Sequence, residues 1–451
     1  DLISVSANGV TVENIPVLLQ PGQLSGTISI ALGYGRAMEA EAGRVANGVG
    51  VNVYSLVGTD GQLDYNMAGT ITKTGSGYEL AKTQTHHHIQ IPTGLGKEDR
   101  PSTARRKADI VRETSLGTLV AYRNGKKHSP EESHVAHDAH GHGKKNVDKV
   151  YAERKADEPD KYKDLNIYPD WKDERNYYKA IHWGLTVNLN TCTGCNACVI
   201  ACQSENNIPV VGKEEVMRRR ELHWIRIDRY FATADRMEED RDLLYSDNPS
   251  VMFQPLMCQH CDNAPCENVC PVNAINHSSE GINQQIYNRC MGTRYCANNC
   301  PYKVRRFNWF AYYDNDKFNY NFTMNSDLGR MVLNPDVTVR ARGVMEKCSF
   351  CMQRIQAAKV VAKSENRGIV DGDVVTACQQ SCPADAIQFG NMNDPESKVS
   401  KVIEGDLSYR LVELLNTNNS VYYTTQVRNV KLESEMPVTT SSEEHHNEEV
   451  H

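Results

Sequence analysis

Nowhere in the 451 residues do 18 apolar side chains follow one another, so the chain offers no hydrophobic span long enough to cross a bilayer. Membrane association therefore requires a partner. Basic charge is not in excess either: 50 Lys and Arg face 57 Asp and Glu, for a net charge of -7. That balance removes electrostatic binding to nucleic acid or anionic lipid as a default expectation. The chain opens on Asp1, with neither a basic n-region nor an apolar h-region behind it; the expectation is that the true N terminus, with any export signal, lies upstream. No P-loop or dinucleotide fingerprint is spelled out in the glycine-rich stretch "GYGRAMEAEAGRVANGVGVNVY" from Gly33, which reads as turn chemistry. Cysteine is absent before Cys192 and after Cys382.

With 24% charged and 39% hydrophobic residues plus 30 glycines, the composition is that of a globular protein, and the length suits two to four compact units. An α+β organisation is expected. Residues 1–115 carry β-type runs such as "TISIALGYG" and "GVGVNVYSLV" between glycine turns, and read as a β-rich domain. Residues 116–180 read as a polar, His-rich linker. From Lys126 to Ala180, only Val135, Val147, Val150, Leu165 and Ile167 represent Val, Ile, Leu, Met or Phe, too few to build a core. His128, His134, His137, His140 and His142 crowd that linker and are read as solvated rather than metal-binding. His86, His87 and His88 carry the same reading, because neighbours on a strand point to opposite faces. Residues 181–394 form the cysteine-bearing domain, and 395–451 a C-terminal extension whose acidic end reads as flexible.

All 15 cysteines thus belong to one device. They fall in four blocks: "CTGCNACVIAC" from Cys192, "CQHCDNAPCENVCP" from Cys258, "CMGTRYCANNCP" from Cys290, and the pairs Cys348/Cys351 and Cys378/Cys382 with Pro383 following. Cysteines packed this closely are poorly placed to form disulfides with one another. In the first block, C-x2-C-x2-C wraps one iron-sulfur cube, and the x3 step to Cys202 sends a fourth thiolate to a different cube. The blocks must therefore work in pairs. A duplicated phrase supports this: Cys270-Pro271-Val272-Asn273-Ala274-Ile275 and Cys382-Pro383-Ala384-Asp385-Ala386-Ile387 share the form C-P-x-x-A-I. Proline should end the turn that carries the cysteine, and the Ala-Ile step should start a short strand. "NHSSEGINQQIY" after Ile275 reads as a hairpin returning to Cys290. Zinc is the competing occupant, but dense triplets followed by C-x3-C-P exceed what a tetrahedral zinc site uses.

The third block breaks the pattern, because Thr293 stands where a thiol is expected. A cube without a soft ligand at one corner tends to lose that iron, so the reading is three 4Fe-4S clusters and one 3Fe-4S cluster. That inventory uses every cysteine. Lys303, Arg305, Arg306, Lys347 and Arg354 lie close to cluster cysteines in sequence and are candidates for offsetting cluster charge. "WIRIDRY" from Trp224 reads as a half-buried strand, and "RRFNWF" from Arg305 as packing rather than a quinone pocket.

The four-block pattern resembles the four-cluster iron-sulfur subunits of the molybdenum oxidoreductase superfamily. In that family the blocks nest. The resemblance implies one 4Fe-4S cluster on Cys192, Cys195, Cys198 and Cys382, and a second on Cys202, Cys348, Cys351 and Cys378. It implies a third on Cys258, Cys261, Cys266 and Cys300, leaving Cys270, Cys290 and Cys296 for the 3Fe-4S cluster. The amino-terminal stretch, with "LQPGQLSGTISIALGYGR" and "RVANGVGVNVY", resembles the last, barrel-like domain of a molybdopterin-binding subunit. This fusion resembles the C-terminal part of the iron-sulfur subunit of bacterial alternative complex III. By that resemblance the chain is a non-catalytic electron-transfer subunit of a respiratory complex, without a molybdenum cofactor. It would sit on the periplasmic face of the inner membrane, docked on an integral-membrane quinol-binding subunit with c-type cytochromes nearby, and pass electrons from quinol toward their haems. The alternative expectation is the electron-transfer arm of an active molybdenum oxidoreductase acting on a small substrate.

Overall fold

The computed structural model describes residues 1–20, 23–36, 49–57, 67–84, 110–123, 181–232, 250–313, 315, 330–412 and 415–429. The histidines of both His-rich stretches and the acidic end of the chain lie outside these residues. Near the amino terminus, β1 (Leu2–Ala7) is flanked by β2 (Val10–Pro16) and β3 (Gly69–Lys73) in an antiparallel sheet of order β2-β1-β3. Alternation along β1 turns Ile3, Val5 and Ala7 inward, where they meet Val12, Val53 and Leu56. The runs expected as strands differ: "TISIALGYG" forms no strand, and the described residues of "GVGVNVYSLV" end in a 3-10 turn at Tyr54–Leu56. There Val53 and Leu56 anchor the segment by burial instead of by strand pairing, while Ile28 and Val49 stay exposed.

A second and larger core gathers most of the cysteines. A short strand β4 (Glu113–Ser115) leads into helix α1 (Leu116–Arg123). The central strand is β5 (Trp183–Asn188), an almost wholly buried run covered on both faces. After it come α2 (Ala197–Glu205), α3 (Gly212–Met217), and the antiparallel pair β6 (Arg226–Ala232) and β7 (Ser250–Leu256). The strand read in "WIRIDRY" is β6. The hairpin read after Ile275 is present as β8 (Ile275–His277) and β9 (Asn283–Gln285), with Ile275 opposite Gln285. Then follow α4 (Tyr295–Asn298), β10 (Arg306–Phe307) paired with β11 (Met345–Glu346), α5 (Met352–Ser364), α6 (Ala377–Gln380) and β12 (Ile387–Asn391).

The chain beyond 394 completes this unit. Helix α7 (Lys398–Glu404) is capped by the Ser397 hydroxyl, which accepts from the Ser400 amide. Strands β13 (Ser408–Tyr409) and β14 (Val421–Thr424) join a four-stranded sheet of order β12-β5-β14-β13. In it β12 runs antiparallel to β5 and β14 runs parallel, and Trp183 stacks on Phe389 at 5.2 Å. A last strand, β15 (Gln426–Arg428), pairs in parallel with β4, tying the end of the expected β-rich domain to the C-terminal extension. The Gln84 side chain donates to the Arg229 carbonyl and accepts from its amide, both at 2.8 Å, so the described amino-terminal segment meets β6.

Candidate metal centres

Each cysteine block bends at a left-handed residue one position before the second ligand position expected from the sequence. That residue is Gly194 (φ 69°), His260 (44°), Gly292 (76°) and Phe350 (55°) in the four blocks. The first and third blocks also share the next kink, Asn196 (64°) and Arg294 (63°), each followed by a short helix, α2 or α4. Side chains at Gly194 and Gly292 would collide, at 2.8 Å with the Phe253 ring and 2.5 Å with the Gly343 carbonyl. Thr293 therefore occupies the backbone position that Cys195 holds in the duplicate block. At the other end of each unit, Asn273 (48°) and Asp385 (47°) turn the two C-P-x-x-A-I phrases identically. The amides of Ala274 and Ala386 donate to Sγ of Cys270 and Cys382 at 3.2 and 3.3 Å, and strands β8 and β12 start one residue later. Lys303 (54°) gives Cys300-Pro301 the same turn, a third copy that the letters conceal.

All 15 cysteines are free thiols. The groups that influence one another's ionisation fall into sets. Burial, then Cys378, Cys192, Cys195 and Cys382, push the Cys198 thiol up to about 12. Cys192, Cys195, Cys198 and Cys382 also line one cavity together with Pro383 and Ile387. Cys202 is raised by burial and then by Cys348, Cys351 and Cys378, and these four line a second cavity with Asn206 and Phe350. Cys261 is raised by burial and then by Cys258, Cys266 and Cys300. Contacts across sets are fewer: Cys198 feels Cys378, and Cys348 feels Cys258. Cys270, Cys290 and Cys296 complete the roll. The Met345 amide donates to Cys290 Sγ at 3.4 Å, and Cys296 lies against Arg305. Thr293 lines an open cavity with Arg219, Arg220, Arg294, Arg305 and Trp309.

Among the basic residues singled out in the sequence, two are buried against thiols. Arg305, 5% exposed, donates to Cys266 Sγ at 3.5 Å, and Lys347, 1% exposed, donates to the carbonyls of Asn283 and Cys348. Both positive charges oppose the rise of the Cys266 thiol. Arg306 instead pairs with Glu221 at 2.8 Å, Arg354 with Glu205 at 2.7 Å, and Lys303 is exposed. Phe307 and Trp309 of "RRFNWF" meet edge to face at 4.8 Å and share the cavity beside Thr293. Sequence reasoning missed Asn206, whose amide donates to Cys202 Sγ at 3.6 Å and Cys351 Sγ at 3.9 Å. Its place four residues after Cys202, one helical turn on, is a signal that was available. Thr376, at 3.3 Å from Cys378 Sγ, carried no such signal.

The donor set fits an iron-sulfur cluster. Buried thiols that repel one another's ionisation require a compensating positive charge before they deprotonate, and cluster iron supplies it. Backbone amides directed at sulfur are the hydrogen bonds that tune such clusters. Among the described residues no three Cys, His, Asp or Glu converge as donors to a single ion.

Two family models, each described as a 4Fe-4S dicluster domain, match residues 191–274 and 249–315. The chain is 38% identical over 247 residues to the iron-sulfur cluster-binding subunit of menaquinone reductase from Nitratidesulfovibrio vulgaris, covering 54% of this chain and 88% of that protein. It is 31% identical to iron-sulfur subunit 1 of the Hdr-like menaquinol oxidoreductase of Archaeoglobus fulgidus, over 53% of this chain and 82% of the relative. It is 27% identical to the iron-sulfur subunit of arsenate respiratory reductase from a Shewanella species, over 53% of this chain and 94% of the relative.

Proposed function

The chain belongs to the iron-sulfur subunits with 4Fe-4S dicluster domains found in menaquinol oxidoreductase and molybdoenzyme-type complexes; from that premise we propose that it carries electrons from quinol toward c-type haems in a respiratory complex of the alternative complex III type. Three 4Fe-4S clusters and one 3Fe-4S cluster would supply the one-electron chemistry. Cys192, Cys195, Cys198 and Cys382 would hold the first, Cys202, Cys348, Cys351 and Cys378 the second, and Cys258, Cys261, Cys266 and Cys300 the third. Cys270, Cys290 and Cys296 would hold the 3Fe-4S cluster, with Thr293 at the missing corner. The observation that carries this reading is the repeated backbone: Thr293 stands on the turn of Cys195, between Gly292 and Arg294 that bend as Gly194 and Asn196 do.

The protein's own work in this reading is spacing and tuning. Amides of Ala274, Met345, Phe350 and Ala386 donate to cysteine sulfur, and buried Arg305 and Lys347 favour the electron-rich state. The subunit is read as peripheral, on the periplasmic face, docked on an integral-membrane quinol-binding subunit beside c-type cytochromes, with no molybdenum cofactor bound. Among the described residues no helix is long and apolar enough to cross a membrane. The amino-terminal part is read as a relic of a molybdopterin-subunit barrel.

A second reading, the electron-transfer arm of an active molybdenum reductase, draws support from the likeness to the arsenate respiratory reductase subunit. Redox-titrated electron paramagnetic resonance of the intact complex, with quinol added and metals analysed, tests both. Expected are a 3Fe-type signal in the oxidised protein, three 4Fe signals on reduction, and quinol-driven reduction without molybdenum. Stoichiometric molybdenum and pterin would move the assignment to the second reading. Iron analysing as four complete cubes would defeat the 3Fe assignment, and visible absorption that dithionite does not bleach would return zinc.

A further inference from the structure

The two inner ligand sets are duplicates in spacing. Cys202 is to the first block what Cys300 is to the third, Cys348 and Cys351 match Cys258 and Cys261, and Cys378 matches Cys266. The side chains around the sulfurs are not duplicated. Four residues after Cys202 stands Asn206, whereas four after Cys300 stands Val304. Two residues before Cys378 stands Thr376, whereas two before Cys266 stands Ala264. All four are buried, so water supplies neither set with what its side chains lack.

Both polar members face sulfur. Asn206 and Thr376 line the cavity shared by Cys202, Cys348, Cys351 and Cys378. Asn206 Nδ2 lies 3.1 Å from the Cys202 carbonyl, 3.6 Å from Cys202 Sγ and 3.9 Å from Cys351 Sγ. An amide nitrogen carries two N–H groups, so one serves the carbonyl and the other is left for the two sulfurs. The Asn206 Oδ1 accepts from Gln353 Nε2 at 3.3 Å, which holds the nitrogen end toward sulfur. Thr376 Oγ1 is 3.3 Å from Cys378 Sγ. A ligating thiolate has no proton to give, so the hydroxyl is the donor there. The Phe350 amide reaches the remaining sulfur, Cys348, at 3.5 Å. In the duplicate set Val304 offers Cys300 only its backbone amide, Asn419 turns its Oδ1, an acceptor, toward Cys261, and Arg305 brings a cation to Cys266.

We propose that Asn206 and Thr376 set the potential of the inner cluster on Cys202, Cys348, Cys351 and Cys378 apart from that of its duplicate, through neutral N–H and O–H donors on three of its four ligands. The inference rests on the ligand sets proposed above. A hydrogen bond to cluster sulfur favours the reduced, more negative state, so its loss lowers the potential.

The duplication supplies the variants: Asn206→Val and Thr376→Ala place at this site the side chains that its counterpart already carries. In a redox titration of the intact complex followed by paramagnetic resonance, both should act on one and the same 4Fe-4S cluster. Its reduced-to-oxidised ratio should fall about tenfold at the wild-type midpoint in each variant, which is 59 mV for one electron. The other clusters should keep their potentials, and Thr376→Ser, which keeps the hydroxyl, should keep the wild-type value. A second measurement needs no substitution: pulsed resonance on reduced wild-type protein, with asparagine labelled with 15N in its side-chain amide, should show a weak nitrogen coupling to that cluster. Unchanged potentials in fully loaded variants, shifts on two different clusters, equal shifts in Thr376→Ser and Thr376→Ala, or no nitrogen coupling would overturn the inference while leaving the ligand sets intact. Missing cluster signals in wild type would instead overturn the sets.

Discussion

At the scale of single residues, the chain shows how a cysteine loop can change one side chain without being rebuilt. Gly292 and Arg294 keep the left-handed bends of Gly194 and Asn196, so the backbone that offers Cys195 also offers Thr293, with a hydroxyl in place of a thiol. Thr293→Cys should therefore convert the fourth site with no change of fold. The 3Fe-type resonance of the oxidised protein should vanish, iron should rise by one atom per chain, and a fourth reduced 4Fe signal should appear. Persistence of the 3Fe signal in well-loaded Thr293→Cys protein would show that position 293 does not face the cluster. This gap was legible by counting, because cluster loops impose fixed spacings on their ligands. The third proline turn was not. Cys300-Pro301-Tyr302-Lys303 shares a bend with Cys270 and Cys382 but not their Ala-Ile ending, and only the left-handed conformation of Lys303 reveals it. His260 was equally hidden, since its burial and its stack on Phe350 are tertiary facts.

At the scale of elements, the cluster loops hang from strands whose partners come from far along the chain. The alternation in "WIRIDRY" and the returning hairpin after Ile275 were readable, because each is local and satisfies its own hydrogen bonds. Strand β14 was not, because the composition of the C-terminal extension drew attention to its acidic end. Yet β14 lies beside β5 in the central sheet, and its Tyr423 is 0% exposed, with its hydroxyl donating to the Pro255 carbonyl at 2.8 Å and its ring 6.0 Å from that of Tyr409. Conversely, "TISIALGYG" has strand propensity but no strand partner in the described fold, and propensity alone does not make a sheet. Tyr423→Ala should destabilise the cluster unit by about 3–5 kcal/mol through a cavity under β5. Tyr423→Phe should cost only about 1 kcal/mol, for one hydrogen bond. Denaturant unfolding of the loaded protein, followed by bleaching of the cluster absorption, measures both. Equal stability of Tyr423→Ala and wild type would mean that the C-terminal strand is dispensable to the sheet.

At the scale of the whole molecule, two cores answer to different forces. The core of β1, β2 and β3 is built from Ile3, Val5, Val12, Val53 and Leu56 and contains no cysteine, so apolar burial alone accounts for it. The larger core counts Cys198, Cys202, Cys258, Cys261, Cys266 and Cys300 among its buried members, with Arg305 and Lys347 buried against them. Without iron, the thiols of Cys198, Cys202, Cys261, Cys266 and Cys300, which burial pushes up, remain protonated, and the buried cations face no compensating anion, a penalty of several kcal/mol for each charge. Metal binding is then part of the folding free energy of that unit alone. Chelation of iron from the full chain should accordingly split its hydrogen-exchange pattern. Amides of β5 and β14 should lose protection as iron leaves, while those of β1 and its two partners keep theirs. Simultaneous loss in both regions would mean that the Gln84 contact with Arg229 couples the cores into one cooperative unit. Retention in both would mean that the cysteine core stands without its clusters, and the charge argument for Arg305 and Lys347 would fail with it.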